Sequence, residues 1–435
     1  MQGIKKNDKR LIRSWSMYDW ANSAYNLVIT STIFPAYYTA ITQSEEHGDV
    51  VTFFGFKVIN TALSNFTLAI AYLLMALALP FISSYADVQG RRKPIMMFFT
   101  YFGAASCMGL FFFRIETLEI SIILFAMAAM GYIGGVLFNN SYLPEIATAD
   151  QQDRVSAQGF AYGYVGCVLL QLLCLVFILS PETFGITDPT FGPRLSFLLV
   201  GVWWAAFATI PFRALPNNQR SPIRASKGIF RTVVIEFRIV LRKIGKLERI
   251  KRFLPAYFFY AAGVQTVMIV AAAFGAKELH MESSKLIVTI LLIQLVAIFG
   301  ALLMSKLSER YGNIKILIFV ITVWIGICVS AFFVKSETAF YTLACVVGLV
   351  MGGIQSLSRS TYSKFLPQNT KDTTSYFSFY DVTEKLAIVM GLFAFALIEQ
   401  VTHNIRYSAL ALSIFFIIGI ALLFRILRFN KLMTT

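Results

Sequence analysis

"SSYADVQGRRKP", residues 83–94, and "SKLSERYGNIKI", residues 305–316, are two versions of one pattern. Each closes a long apolar run. Asp87 and Gly90 of the first match Glu309 and Gly312 of the second at a common offset of 222, about half of the 435-residue chain. In both, an acid stands at a helix end, a glycine follows three residues later to allow a tight turn, and basic residues come after it. Self-similarity at half the chain length implies a structure built twice over.

Composition says in which solvent. The chain is 57% hydrophobic and only 14% charged, with a mean hydropathy of +0.67. Soluble domains carry about 25% charged residues, so a lipid bilayer is the expected surrounding. Met1 to Arg13 is polar and basic, and no short apolar run with a small-residue cleavage site follows. The first apolar segment is therefore expected to remain as a membrane helix. The net charge is +15, but the basic residues lie between apolar blocks. That pattern fits a membrane surface and anionic lipids at the cytoplasmic face, not nucleic acid. Five cysteines all fall within apolar runs and show no C-x-x-C spacing, which reads as small buried hydrophobes with no metal or disulfide role.

Twelve runs are long enough to span, since a helix needs roughly 20 residues to cross the hydrocarbon core. They lie at about 18–41, 57–83, 95–113, 119–142, 156–179, 195–215, 253–275, 285–305, 314–334, 338–360, 375–398 and 407–425. Backbone groups in lipid must be satisfied internally, so these are helices, and the shorter alternating segments of a barrel are missing. With both termini cytoplasmic, 30 of the 38 Lys and Arg fall in inner segments and seven in outer ones, leaving Lys385 inside a span; this asymmetry sets the expected orientation. The three histidines (His47, His280, His403) fall outside. The expected organisation is an N-terminal six-helix bundle (1–213), a cytoplasmic linker (214–252) and a C-terminal six-helix bundle (253–435). In the linker, Phe230, Val233, Val234, Phe237, Val240, Leu241, Ile244 and Leu247 recur at helical spacing. Arg231, Arg238, Arg242 and Arg249 line another face. That is an amphipathic helix expected to lie on the cytoplasmic leaflet.

Polar residues inside the spans single out candidate sites. In "SMYDWANSAYNLVIT", residues 16–30, Asp19, Asn22, Ser23, Asn26 and Thr30 sit at i, i+3, i+4, i+7 and i+11, one stripe of a helix. An Asp at mid-membrane costs about 2.5–3.5 kcal/mol on insertion scales, so such a stripe is expected to face a water-filled cavity or another helix. For Asp19 a role near the helix terminus competes equally with the cavity; Asn22 and Asn26 favour the cavity. A second cluster, Ser378, Asp381, Glu384 and Lys385, lies in span 11. Asp381 and Lys385 are i, i+4 and can pair, and Glu384 leaves an acid in excess. This is the strongest candidate for a proton relay or substrate charge, the alternative being a structural pair at the rim of the span. Asn60, Ser64 and Thr67 of span 2, with Tyr260, Gln265 and Gln294 of spans 7 and 8, add hydrogen-bonding groups whose simplest role is interhelical. The full expected pathway set is Asp19, Asn22, Ser23, Tyr25, Asn26, Asn60, Gln265, Asp381, Glu384 and Lys385. The expected gating set is Asp87, Gly90, Arg91 and Arg92 in the first loop and Glu309, Arg310 and Gly312 in the second. There acids meet helix N-termini or neighbouring Arg, while Lys93 is assigned to lipid. Gly131-x-x-x-Gly135 and Gly348-x-x-x-Gly352 are close-packing motifs.

These motifs carry a resemblance. G-x-x-x-D-[RK]-x-G-R-R-[KR] is the loop between spans 2 and 3 of the major facilitator superfamily. Asp87, Gly90, Arg91, Arg92 and Lys93 match it, with Ser83 and Val88 departing from it. Within that superfamily, "YDWANSAY", "FNNSYLPEIA", "DRVSAQGFAYGYVG", "FLPAYFFYAAGVQTV" and "YFSFYDVTEKLAIVMG" resemble the yeast vacuolar amino-acid effluxers and their bacterial relatives. Ala261-Ala262 stands where relatives often carry Asn-Asp, and Gly391-Leu392 where they often show Gly-Pro. The resemblance implies an all-α membrane protein of two pseudo-symmetric six-helix bundles, in which Asp87 braces the start of span 11. It implies a secondary transporter of a small amino-acid-like solute, working by alternating access, proton-coupled, in a bacterial inner membrane. An uncoupled facilitator and a non-transporting sensor are the alternatives. No G-x-x-x-x-G-K-[ST] is found, so ATP is not the expected driver. No cofactor, metal or enzymatic activity is expected. The expected partners are the substrate, a proton and lipid, and the protein is expected to be a monomer.

Overall fold

The computed structural model describes residues 5–43, 48–185, 187–217, 229–368 and 370–432; His47 lies outside them. The chain opens with α1 (Lys9–Ala24), capped by Asp8, whose side chain accepts from the backbone of Arg10 and Leu11. It continues through a π-helical segment, Tyr25–Thr32, into α2 (Ile33–Thr42). The widening has a local cause. Pro35 offers no N–H to the Ser31 carbonyl, and the helix gives way just before it, with Thr32 at φ −130°, ψ −80°. Ser31 and Thr32 turn their hydroxyls back to the carbonyls five residues earlier, Asn26 and Leu27.

An antiparallel hairpin follows, β1 (Val50–Phe53) and β2 (Phe56–Ile59). It corrects the start of span 2, which the apolar run had placed at residue 57. Phe54 and Gly55 both take positive φ (46° and 84°), the geometry of a two-residue hairpin turn, and the flanking Val, Phe and Ile suit strands.

The helices then alternate: α3 (Asn60–Gln89), α4 (Arg92–Gly109), α5 (Leu118–Asn140), the short α6 (Leu143–Ile146), α7 (Gln152–Leu179), α8 (Phe191–Ala214), α9 (Ile229–Lys246), α10 (Glu248–Leu279), α11 (Ser283–Tyr311), α12 (Asn313–Phe333), α13 (Glu337–Phe365), α14 (Thr373–Thr402) and α15 (Ile405–Leu432). Gly90, at φ 64°, ends α3 in the left-handed conformation and lets α4 start two residues later. Ten helices among the described residues are long and apolar enough to cross a membrane. The remaining two crossings are the α1–α2 run and α14, whose polar and ionisable residues dilute their hydropathy. The architecture is thus twelve spanning helices, with α9 in the linker. An even number of crossings brings the start of α1 and the end of α15 to one face, here the base; the opposite face is the mouth.

Two hydrophobic cores form. One gathers Trp15, Tyr18, Phe34, Phe138 and Trp204 from the first half, the other Phe253, Tyr257, Trp324, Tyr362 and Phe416 from the second. A small third patch, Leu27, Cys167, Val168 and Leu291, is where the π-helical segment and α7 meet α11. Within the second bundle α13 passes so close to α11 that a Cβ on Gly352 would lie 2.2 Å from the Ala297 carbonyl, which gives this half of the glycine pair its reason. Most of the apolar side of α9 is covered by protein where lipid was expected, with Leu241 of the stripe staying 47% exposed. Val240 is fully buried, and Phe237 lies between Phe81 of α3 and Phe379 of α14.

Candidate functional site

Asp19 is nearly three turns into α1 and 8% exposed. Its Oδ2 accepts from Arg359 Nη1 of α13 at 3.0 Å, and its Oδ1 from Asn139 Nδ2 at 3.3 Å. Arg359 is 3% exposed. It also donates to Asn140 Oδ1 (3.0 Å), Ser156 Oγ (2.9 Å) and the Ser156 carbonyl (2.8 Å), and its guanidinium lies between the rings of Trp15 (4.8 Å) and Phe160 (4.2 Å). Gly159 makes room for the pair, since a Cβ there would sit 2.4 Å from Asp19 Oδ2 and 2.8 Å from Arg359 Nη2. One charge comes from each bundle, and aromatic faces with hydrogen-bond partners around both compensate their removal from water.

Two more polar joints flank this one. Asp87 Oδ2 accepts from both N–H and Oγ of Ser375 at 2.8 Å, so a carboxylate sits at the N-terminus of α14. Arg92 is fully buried beside it and donates to Glu145 Oε1 (2.7 Å) in its own half and to Thr374 Oγ1 (2.7 Å) and Thr373 Oγ1 across the seam. On the other side Asp153 of α7 takes Asn313 Nδ2 (2.6 Å), Ser308 Oγ (3.0 Å) and Lys364 Nζ. Among the described residues, the hydrogen bonds that join the bundles all lie between the base and the level of Tyr164 and Gln355, themselves joined at 2.7 Å.

Deeper along α14 lies the second constellation. Lys385 Nζ donates to Glu384 Oε2 at 2.7 Å and stands 3.6 Å from Asp381 Oδ1. Glu384 Oε1 accepts from Gln265 Nε2 of α10 at 2.9 Å. Asp381 is 3% exposed, and its Oδ2 is buried with no hydrogen-bond partner. Across from Lys385, 6.0 Å away, is the ring of Tyr72 on α3, while Tyr257 stacks on Tyr380 at 4.3 Å. Two carboxyls and one ammonium leave one acid in excess, in reach of both bundles. A group so placed can take up a proton or a cationic part of a solute.

The residues expected from sequence divide accordingly. Asp381, Glu384, Lys385 and Gln265 are brought into contact. Asp19 joins the base, not this cluster. Asn22 is buried with Nδ2 unpartnered, and Asn26, on the same stripe, is exposed. Ser23 turns to α7, its Oγ 2.5 Å from where a Gly163 Cβ would be. Tyr25 packs within the first bundle on Tyr132 (5.0 Å) and Trp204 (5.8 Å). Asn60 stands apart. At the mouth end of α3 it donates to Thr42 Oγ1 at 2.9 Å, and its carbonyl accepts from Tyr38, so it secures the start of α3 behind the hairpin and meets none of the pathway residues. In the loops, Arg92 is buried but Arg91 is exposed, and Lys93 donates to the Leu215 carbonyl. Glu309 and Arg310 are exposed. The acid of the second seam is Asp153, supplied by the facing helix, so the repeat preserves the joint while exchanging which partner carries the charge. Arg359, counted by sequence among inner-loop charges, was missed. Its signal is the set of small residues around it, Gly352, Gly353, Ser356, Ser358 and Ser360, which leaves room for a guanidinium with no helix break before Pro367.

Comparison with known proteins agrees with this fold. The fold matches the human organic anion transporter MFSD10 (TETRAN) with a TM-score of 0.74 at 12% identity, over 96% of this chain and all of that one. It matches the transporter FucP in its outward conformation with a TM-score of 0.68 at 11% identity, over 95% of this chain and 97% of that one. In sequence, the MFS-type transporter YxiO of Bacillus subtilis strain 168 is 31% identical over 412 residues, 94% of this chain and 93% of that protein. Autophagy-related protein 22 of Eremothecium gossypii is 25% identical, over 94% of this chain and 89% of its own. The family model described as "Vacuole effluxer Atg22 like" matches residues 7–431. A twelve-helix membrane chain, bolted together across its halves and matched over nearly its full length, thus belongs to the Atg22-like effluxer family of major facilitator superfamily transporters.

Proposed function

We propose that the chain carries a small, polar, amino-acid-like solute by alternating access, coupled to protons, with both termini in the cytoplasm of a bacterial inner membrane. The observation that carries this reading is the Asp381–Glu384–Lys385 cluster. It is buried in a spanning helix, holds an acid in excess, and contains a carboxylate oxygen with no partner. Intramembrane ionisable groups of this kind mark substrate and ion pathways. The Asp19–Arg359, Asp87–Ser375 and Asp153–Lys364 joints support a closed cytoplasmic gate, and exposed Asn26 suits a solute path reached from the mouth. Bundles rocking about a central site would break these joints and reform them. Anionic lipid is the proposed partner of the exposed Arg231, Arg238 and Arg242 on α9.

Uncoupled facilitation is the second reading. It is favoured by Ala261 and Ala262, which offer no titratable group where relatives often carry one and which are both buried. Reconstituted proteoliposomes distinguish the two: amino acids are supplied with and without an imposed pH gradient. Coupling predicts uphill accumulation under the gradient and its loss in Asp381→Asn. Equal downhill flux with and without the gradient leaves only the facilitator, and binding without flux leaves only the sensor.

A further inference from the structure

The linker helix α9 joins the halves in sequence, and its buried side also joins them in space. Phe237 stands between Phe81 of α3, at 5.1 Å, and Phe379 of α14, at 5.9 Å with 8° between the planes. One residue earlier, Glu236 is 1% exposed. Its carboxyl lies against that of Asp372, just before α14, and within electrostatic reach of Asp87 near the end of α3. Its Oε2 is buried without a hydrogen-bond partner. The titratable groups that face it are therefore Asp372 and Tyr376 from the α14 side, Asp87 from α3, and Lys243 from α9 itself. Lys243 is already engaged, donating to Asp372 Oδ2 at 2.8 Å from a half-exposed position. Two facing carboxyls with one lysine between them leave a buried negative charge in excess, a costly state unless a proton is shared.

We propose that Glu236 and Asp372 form a proton-binding site, separate from the transport pathway, and that the shared proton straps α9 across the seam between α3 and α14. This inference goes beyond the transport reading and does not depend on which solute is carried. With the proton, one carboxyl donates to the other and Phe237 stays clamped. Without it, the carboxyls repel and the helix loosens. Opening the base draws α3 away from α14, and Phe237 cannot follow both.

Burial and the neighbouring Asp372 carboxylate push Glu236 from its ordinary 4.5 up to about 7. The docked helix thus holds the proton more tightly than the released one. Docking is strongest below 4.5, weakens as pH rises, and has lost the proton's contribution above about 7. In the proposed orientation, an acidified cytoplasm tightens the strap and slows opening of the base.

The test is hydrogen–deuterium exchange of residues 229–246, read in the full chain in lipid nanodiscs at pH 6 and pH 8 and corrected for intrinsic exchange. The wild type is expected to be about tenfold better protected at pH 6, the ratio that linkage gives for those two proton affinities. Glu236→Gln donates at any pH and is expected to be protected equally at both. Asp372→Asn is the second variant, with the same expected loss of pH response. Equal wild-type protection at the two pH values overturns the proposal, as does a folded variant that keeps the tenfold ratio.

Discussion

Asp19 on α1 and Arg359 on α13 meet at 3.0 Å, 340 residues apart in sequence, and hold the two bundles together inside the membrane. Breaking a buried ion pair by removing one partner costs about 3–5 kcal/mol, because the other charge is left behind. Here that penalty falls mainly on the state closed at the base, where the pair exists. Arg359→Ala is therefore expected to shift the population toward base-open forms. A cysteine introduced at Ser356 and probed with a membrane-impermeant thiol reagent from the base side reads the shift; unchanged labelling rates would contradict it. Arg359→Lys is expected to resemble Arg359→Ala more than the wild type, since an ammonium cannot serve Asp19, Asn140, two Ser156 atoms and two ring faces at once.

Gly159 gives a geometric test of the same joint. Its missing Cβ would fall 2.4 Å from Asp19 Oδ2, so Gly159→Ala must push α7 off α1 and α13, an overpacking cost of about 1–3 kcal/mol. Gly245 on α9 has nothing within 4 Å of its Cβ position. Gly245→Ala is expected to leave the melting temperature unchanged or raise it, through helix propensity of about 1 kcal/mol. Thermal unfolding in detergent of the two variants side by side decides the matter.

The two adjacent arginines of the first loop are expected to behave unlike each other. Arg91 is exposed, and Arg91→Ala should stay within about 0.5 kcal/mol of wild type. Arg92 bridges Glu145 to Thr373 and Thr374 with no exposed surface, and Arg92→Ala should abolish most transport. Equal effects of the two would mean the loop acts through its charge alone.

How legible the site was depends on how locally each part is coded. The spans, the half-chain repeat and the Asp381–Glu384–Lys385 cluster are local patterns: runs, offsets and i, i+4 spacings. Asp19 was legible as an unusual residue but not in its role, because its partner lies on the ninth spanning helix after its own. Arg359 was misplaced because one Arg near a span's end reads as the start of a loop when only hydropathy is counted. Glu309 and Asp153 show the limit of reading a repeat. Both halves keep a carboxylate at the seam, but the chemistry of a pair does not say which side must carry the acid. The apolar stripe of α9 was read correctly as a stripe, but a stripe does not reveal whether lipid or protein covers it.

Lys385 sets the last expectation. It pairs with Glu384 at 2.7 Å and lies 3.6 Å from Asp381, with both carboxyls on its own helix. Lys385→Ala leaves two facing acids, with Gln265 of α10 still donating to Glu384. The cost is about 3–5 kcal/mol if both stay ionised, and uptake of protons reduces it. The variant is thus expected to be destabilised at high pH and to recover as pH falls, whereas Lys385→Ala combined with Asp381→Asn should regain part of that loss at high pH, with Glu384 still an acid without its ammonium. A melting series from pH 5 to pH 9 on the single and double variants tests this. If the double variant is no more stable than the single one at pH 9, Lys385 is not there to neutralise Asp381, and the acid in excess at the heart of the proposed pathway belongs to Glu384 instead.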